Sequence, residues 1–106
     1  MTPPPLLETT LEMSYVYLLR SLKDKKFYLG WSTDLKRRLD AHNHGLIRST
    51  KSRTPFELVY YETYSEKKLA KARERQLKHN PRMYSLFKKR VQVCASMPEG
   101  RKEVVG

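Results

Sequence analysis

The chain contains a single cysteine, Cys94, among its 106 residues. One thiol cannot form an intramolecular disulfide or assemble a cysteine-based zinc site, and this usage is typical of a reducing compartment. The sequence also lacks the apolar run of about 18 residues that a membrane-spanning helix needs. Its N-terminus has neither the basic start nor the apolar core of a signal peptide. We therefore predict a cytoplasmic protein without a membrane span.

Acidic residues are also scarce in this chain. It has 11 Asp and Glu residues against 22 Lys and Arg residues, which gives a net charge of +11. A folded domain this basic usually binds a polyanion, and nucleic acid comes first because its regularly spaced phosphates reward many separate cations. An anionic membrane is the weaker alternative, because no segment has the broad apolar helix face that it would require.

The length permits one compact domain and leaves no room for a second catalytic domain. Residues 1–12 are rich in proline, contain no basic residue and show no sustained period, so we interpret them as a flexible leader, with Met13 as an alternative start. The apolar pattern fades after residue 92. We expect residues 13–92 to form the domain and residues 93–106 to form a C-terminal tail.

Alternating and aromatic-rich segments predict three strands, "SYVYLLRS", "FYLGW" and "FELVYYETY". The polar turn "SLKDKK" joins the first two strands, and the basic loop "GLIRSTKSRTP" precedes the third. Between the second strand and this loop, a helix should begin near Asp34, capped by Ser32 or Thr33, and end at Gly45.

Two more helices are predicted after the third strand. Ser65 can cap the first of them, which Asn80 and Pro81 end, and Pro81 is well placed to open the last helix. Apolar residues recur in that last helix at helical spacing: Met83, Leu86, Phe87 and Val91. These elements predict an α+β fold, a three-stranded antiparallel sheet flanked by helices.

The first predicted helix carries a column of polar residues spaced i, i+4 and i+8, namely Asp34, Arg38 and His42. Leu35 and Leu39 occupy the neighbouring stripe and should hold the helix against the sheet. We therefore expect the arginine and the histidine of this column at the edge of the core, beside the tyrosines of the first two strands.

The second predicted helix offers a carboxylate. Ala70, Glu74 and Leu77 share one stripe, which places the glutamate at the margin of the apolar face, where it needs a partner or a metal ion. The alternative is a surface ion-pair ladder, because Lys78 lies four residues after the glutamate and Lys71 three residues before it.

Phosphodiester hydrolysis suits this set of side chains in a basic domain. The set consists of the strand tyrosines, Arg38 and His42 on one helix, and the lone Glu74 on another. A divalent metal ion, Mg²⁺ or Mn²⁺, held by Glu74 and waters would activate water or stabilise the leaving oxygen. Arg38 would bind the phosphate. A tyrosine can relay a proton only if its pKa of about 10 is lowered by its neighbours, and we expect nearby cations to lower it.

These residues resemble the successive motifs of the GIY-YIG nuclease superfamily. The similarity rests on "VYLL", "YLG", "STDLKRRLDAHN", "STKSRTPFELVYYE" and "ARERQLK", in this order, and extends from about residue 14 to about residue 90. The order and the gaps resemble the small stand-alone, single-domain bacterial members. The resemblance implies a three-stranded sheet with flanking helices and a metal-dependent cut of a nucleic-acid strand.

The resemblance also implies roles for individual residues. The motif positions are Tyr17, Tyr28, Gly30, Arg38, His42 and Glu74. By resemblance, either tyrosine is the general base, the glycine is a structural motif residue, the arginine is essential, the histidine is an active-site companion and the glutamate is the metal ligand.

The sequence departs from the family pattern at three places. The first motif has Tyr15 and Val16 where Gly and Ile are usual, and the second has Leu29 where Ile is usual. Both keep the tyrosines and an apolar middle residue. After Glu74, "HNPRMYSLF" replaces a turn rich in glycine and lysine, which affects the substrate-facing rim more than the catalytic centre.

Basic residues outside this constellation are candidate nucleic-acid contacts. The candidates are Lys36, Arg37, Lys51, Arg53, Lys88 and Lys89. The hydroxyls of Ser49, Thr50 and Ser52 could also contact phosphates. For each of these residues the alternative is an ordinary solvated surface, and Trp31 could either stack on a base or pack beside the sheet.

We therefore hypothesise a metal-dependent DNA endonuclease, selective for DNA structure rather than sequence, with DNA shape or a protein partner supplying the targeting. A monomer is the simplest expectation. The first alternative is a non-catalytic DNA- or RNA-binding module that retains the nuclease fold. The second is a basic RNA-binding protein of ribosomal type.

Overall fold

The computed structural model describes residues 13–96. Its elements are β1 (Ser14–Ser21), β2 (Phe27–Ser32), α1 (Leu35–Asn43), a short 3-10 turn (Lys51–Arg53), β3 (Phe56–Tyr64), α2 (Lys67–Lys78) and α3 (Pro81–Ser96). The predicted α+β class, with one three-stranded antiparallel sheet, is confirmed. The predicted leader lies outside the described residues, and α3 continues past the predicted domain boundary at residue 92. No helix within residues 13–96 has the length and apolar character needed to cross a bilayer.

The strand order is β2-β1-β3, which leaves β1 in the centre and β2 at one edge. Tyr17, in the middle of β1, lies opposite Gly30 of β2 and Tyr61 of β3. A central strand is covered on both faces, which explains why the β1 sequence alternates aromatic and aliphatic residues rather than apolar and charged ones.

Two hydrophobic clusters lie on opposite faces of the sheet. On one face, Val16, Leu18 and Leu29 pack against α2 and α3, which contribute Ala70, Leu77, Phe87 and Val91. On the other face, Tyr17, Leu19 and Phe56 pack against α1, which contributes Leu35 and Leu39. The sheet is therefore the middle layer between α1 and the α2–α3 pair.

The helix ends differ from the sequence prediction at two positions. Asp34 itself caps α1, because its carboxylate accepts a hydrogen bond from the Arg37 N–H at 3.1 Å. The Ser32 hydroxyl instead accepts the Asp34 N–H at 3.0 Å, so the predicted Ser32 or Thr33 cap is wrong. The predicted Ser65 cap is also wrong, since α2 begins after Glu66 without a side-chain cap. Gly45, at φ +71°, follows the end of α1, as predicted.

Asn43 fastens the end of α1 to the start of β3. Its side-chain amide donates to the Phe56 carbonyl at 3.1 Å, and its side-chain oxygen accepts the Phe56 N–H at 2.6 Å. Phe56 is buried, so both backbone groups depend on this one side chain. The contact fixes α1, and with it the histidine one residue earlier, relative to the sheet.

We predict that Asn43→Ala lowers the free energy of unfolding by about 2 kcal/mol, because it removes two hydrogen bonds to the part-buried N–H and C=O of Phe56. Urea unfolding of the variant and the wild type measures the effect. Gln76→Ala, at an exposed position of α2, is the control and should change stability by less than about 0.5 kcal/mol. Equal stability of the two variants would contradict the proposed anchoring role.

Candidate active site

Tyr17 lies at the centre of the site, and Gly30 provides the space for its ring. The two residues are cross-strand partners in β1 and β2. A Cβ atom added at Gly30 would lie 2.5 Å from the Tyr17 hydroxyl oxygen and 2.7 Å from Cζ. Any larger residue would therefore displace the tyrosine ring, which is 1% exposed. The glycine allows the Tyr17 hydroxyl to reach over the edge strand.

The Tyr17 hydroxyl joins the sheet to α1. It lies 3.0 Å from Nε2 of His42, and it accepts a longer hydrogen bond, 3.4 Å, from Nε of Arg38. His42 is fully buried, whereas Arg38 is exposed. The predicted column on α1 is thus split, with the histidine inside the protein and the arginine at the rim, and both contact the same tyrosine.

Thr50 completes this chain of hydrogen bonds. Its hydroxyl lies 2.8 Å from Nδ1 of His42 and donates to the Ile47 carbonyl at 3.4 Å. Because the threonine proton is directed to that carbonyl, the hydroxyl accepts from Nδ1–H, and Nε2 is left to accept the Tyr17 proton. The contact therefore selects the neutral histidine tautomer that carries its proton on Nδ1.

The predicted phosphate contact of Thr50 is wrong, because this residue is fully buried. Nothing in the local sequence pattern distinguishes it from Ser49 and Ser52, which are both exposed. Its role depends on the turn before Lys51–Arg53, which carries the threonine under α1.

Burial governs the protonation of both buried groups. The pKa of His42 falls from 6.5 to about 4, because burial disfavours the imidazolium and the Arg38 charge adds to this effect. The pKa of Tyr17 is raised by burial, against the opposing influence of Arg38. The expectation that nearby cations lower the tyrosine pKa is thus wrong for Tyr17, since desolvation outweighs the arginine.

Tyr28 occupies a different environment from Tyr17. It is half-buried, its ring centroid lies 5.0 Å from that of His42, and the Lys78 ammonium lies 5.8 Å from its ring centroid. Within residues 13–96 its hydroxyl has no hydrogen-bond partner. The two motif tyrosines therefore differ, one being enclosed by protein groups and the other having a hydroxyl available to a ligand.

Glu74 approaches this site from the opposite layer of the fold. Its side chain is 16% exposed and pairs with Lys78 at 2.8 Å, so it lies at the margin of the core and also forms the predicted i,i+4 ion pair. Its negative charge helps to raise the pKa of Tyr17. Since Lys78 also lies over Tyr28, the flank of α2 reaches the sheet edge formed by β2.

Glu74 offers a single carboxylate, which suits a magnesium-type ion more than a fully ligated structural metal. No group of three His, Cys, Asp or Glu residues within residues 13–96 could hold a metal ion. A single carboxylate at the margin of a site, with waters and substrate phosphate completing the shell, is the usual pattern for Mg²⁺. The residues present therefore fit an ion that is held jointly by protein and substrate.

The predicted nucleic-acid contacts fall into two groups. Four are exposed cations: Lys36, Arg37, Lys51 and Lys89. The other two have structural contacts, because Arg53 pairs with Asp24 at 2.7 Å and Lys88 lies 4.4 Å from the Tyr84 ring centroid. The second group is less free to bind a phosphate.

The order of these elements and the residues they bring together define a GIY-YIG domain, and the chain belongs to this family. A family model described as the GIY-YIG catalytic domain matches residues 13–88. The match confirms the resemblance that the motifs indicate, and it assigns the fold to a nuclease-type domain.

Several named proteins are similar to this chain. UPF0213 protein CPE1444 of Clostridium perfringens is 42% identical over 67 residues, which cover 62% of this chain and 71% of that protein. UPF0213 protein SpyM3_1077 of Streptococcus pyogenes serotype M3 is 39% identical over 82 residues, which cover 76% of this chain and 77% of that protein. The solution NMR structure of UPF0213 protein BH0048 from Bacillus halodurans is 33% identical, covers 72% of this chain and 83% of its own, and has a TM-score of 0.44.

We predict that Thr50→Val destabilises the protein by about 1–3 kcal/mol and shifts His42 away from the Nδ1–H tautomer, because a buried donor loses its acceptor. Nitrogen NMR shifts of the imidazole at neutral pH report the tautomer. Thr50→Ser keeps the hydroxyl and should restore the wild-type shifts. If Thr50→Val leaves both the tautomer and the stability unchanged, the threonine does not position the histidine.

We also predict a loss of stability on mild acidification. The folded pKa of His42 lies below its ordinary value of 6.5, so the unfolded chain binds a proton that the folded chain does not. The contribution is complete above about pH 6.5 and should fall by about 2 kcal/mol by about pH 5. This window lies above the ordinary pKa values of the carboxyl groups.

Urea unfolding at several pH values in this window measures the loss. His42→Gln should remove the pH dependence, whereas His44→Gln, at an exposed position, should retain it. A wild-type stability that is flat across the window, or a pH dependence removed by the His44 variant, would contradict the assignment to His42.

Proposed function

We propose that this protein is a metal-dependent endonuclease that hydrolyses phosphodiester bonds in DNA. The observation that carries the proposal is the convergence of buried and exposed polar groups at the β2 edge. Tyr17, His42 and Thr50 form a buried hydrogen-bonded chain, Arg38 reaches it from the rim, and Glu74 approaches from the other face. A module that only binds nucleic acid has no evident need for an acid, Glu74, at the margin of the core beside this chain.

Arg38 is proposed to bind the scissile phosphate. It is exposed, carries a fixed positive charge and is oriented by the Tyr17 hydroxyl. A guanidinium binds phosphate oxygens in a bidentate manner, and it can stabilise the negative charge that develops in the transition state. An incoming phosphate would also offset the arginine charge that contributes to the low pKa of His42.

The two tyrosines are proposed to have separate roles. The Tyr28 hydroxyl has no hydrogen-bond partner among residues 13–96, so it is the better candidate to hydrogen-bond and orient the attacking water. Tyr17 is enclosed, and its hydroxyl donates to neutral His42 while accepting from Arg38, so its role is to hold these two side chains in place.

Glu74 is the residue that would hold the metal ion, Mg²⁺ or Mn²⁺. When bound, the ion would supply Lewis acidity toward the phosphate and lower the pKa of a bound water. To hold the ion, Glu74 must give up its 2.8 Å ion pair with Lys78. Because this ion pair is partly exposed to solvent, losing it costs little free energy.

Selection of DNA by structure, with DNA shape or a protein partner supplying the targeting, remains part of the proposal. The described fold has one layer on each side of the sheet and contains no separate sequence-reading unit within residues 13–96. A role in DNA repair or processing, action as a monomer and a cytoplasmic location are consistent with this proposal and are likewise proposed.

The test is strand cleavage of labelled single-stranded, duplex, nicked, flap and four-way DNA with magnesium or manganese. We predict that the wild type cuts at least one of these substrates. Glu74→Gln, Arg38→Lys and Tyr28→Phe should each lose activity by about 10²-fold or more, because each removes a group that contacts the reacting phosphate, its water or the metal ion.

Matched controls come from a surface ion pair on the sheet, Arg20 with Glu57 at 3.7 Å. Glu57→Gln and Arg20→Lys make the same chemical changes away from the site and should keep wild-type activity. If the wild type binds all substrates and cuts none under these conditions, the non-catalytic binding module becomes the better account. Metal-independent RNA binding unaffected by Glu74→Gln would instead favour the ribosomal-type alternative.

A further inference from the structure

A groove of about 570 Å³ runs beside the proposed reaction centre, between the end of β2 and one flank of α2. Its lining includes Trp31, Lys68, Lys71, Glu74, Arg75 and Lys78. Glu74 lines the groove, and its partner Lys78 lies 5.8 Å from the ring centroid of Tyr28, so this carboxylate lies between the groove and the motif tyrosines. A ligand in the groove would therefore pass the proposed metal-binding residue.

The α2 side of the groove is a row of positive charges. Residues 68, 71, 75 and 78 recur every three or four positions, so they lie along one face of the helix over roughly 15 Å. Lys68 and Lys78 each pair with a glutamate. Lys71 and Arg75 take part in none of the ion pairs formed within residues 13–96. Both can therefore pair with an anionic ligand, although Lys71 must first leave its 5.8 Å contact with the Trp31 ring, which is longer than the 4.4 Å contact of Lys88 with Tyr84.

The β2 side of the groove supplies an aromatic surface. Trp31 is half-buried and packs partly on the core shared with α2 and α3. Another part of it lines the groove, where the Lys71 ammonium lies 5.8 Å from the ring centroid. A cationic row beside a partly exposed aromatic ring is the combination that binds single-stranded nucleic acid, by phosphate pairing and base stacking.

We propose that this groove binds an unpaired strand of nucleic acid and directs it past Glu74, with Trp31 stacking on a base and Lys71 and Arg75 pairing with phosphates. The inference rests on the proposed nuclease function, and it adds the path of the substrate. An unpaired strand fits better than a duplex, because the base faces of a duplex are already stacked on one another and cannot reach the tryptophan.

The first test uses the fluorescence of Trp31, which is the single tryptophan of the chain. The full protein is titrated with oligothymidylate in the presence of a chelator, which prevents metal-dependent cleavage, while anisotropy of a label on the DNA reports binding. The groove predicts that tryptophan fluorescence is quenched in parallel with the anisotropy change, and that a duplex quenches less. Binding without any change in tryptophan fluorescence would overturn the proposal.

The second test removes the two unpaired cations. Lys71→Gln with Arg75→Gln keeps helix-forming side chains, and its folding is checked by thermal unfolding. We expect about tenfold weaker binding of oligothymidylate and a salt dependence of log Kd that is smaller by about 1.4, or about 0.7 per lost phosphate contact.

The matched control removes two exposed cations at the other end of β2, Lys25→Gln with Lys26→Gln. It lowers the net charge equally and should change the affinity and the salt dependence much less. Equal losses in the two double variants would show a general effect of net charge and would overturn the groove.

Failure of the groove can be distinguished from failure of the nuclease proposal. The groove would be supported and the nuclease proposal overturned if oligothymidylate quenches the tryptophan fluorescence of the wild type, its binding depends on Lys71 and Arg75, and the protein cuts no DNA. If the Lys71 and Arg75 double variant cuts and binds DNA as the wild type does, the nuclease proposal stands and the groove proposal is overturned.

Discussion

The hydrogen bond between the Tyr17 hydroxyl and Nε2 of His42 is the interaction on which the site depends. At 3.0 Å it joins the central strand to α1, and both residues are buried. Gly30 makes it possible, because any Cβ there would overlap the tyrosine hydroxyl. Thr50 gives it direction, because it occupies the Nδ1 side of the imidazole. One contact thus requires three motif residues on three separate elements, namely Tyr17 on β1, Gly30 on β2 and His42 on α1.

The position of β2 at the sheet edge explains how residues from both layers reach one site. α1 covers one face of the sheet and α2 covers the other. Only at an edge can side chains from the two layers meet without crossing the sheet. There, Arg38 at the α1 rim contacts the Tyr17 hydroxyl, and Lys78 of α2, which pairs with Glu74, lies 5.8 Å from the ring centroid of half-buried Tyr28. A phosphate placed at this edge would meet cations from both layers.

The hydrophobic periodicity of the sequence was sufficient to predict the strands and the helices, because amphipathic spacing is a local property. The resemblance to the family was sufficient to identify the motif positions. They were not sufficient to predict Thr50 or Asn43, whose hydrogen bonds join segments that are distant in sequence. The direction of the Tyr17 pKa shift was also missed. Sequence identifies the nearby arginine, but only the packed structure shows that burial outweighs it.

The central claim is that Glu74, the proposed metal-binding carboxylate of α2, and the tyrosine hydroxyls of the sheet share one reaction centre, and paramagnetic NMR with manganese tests it most directly. An ion at Glu74 should broaden the backbone amide signals of residues around Glu74 and also those of Tyr28 and Gly30 on β2. Glu74→Gln should abolish both effects, whereas Glu57→Gln should not. Broadening centred on another carboxylate, or confined to α2 without β2, would contradict the claim.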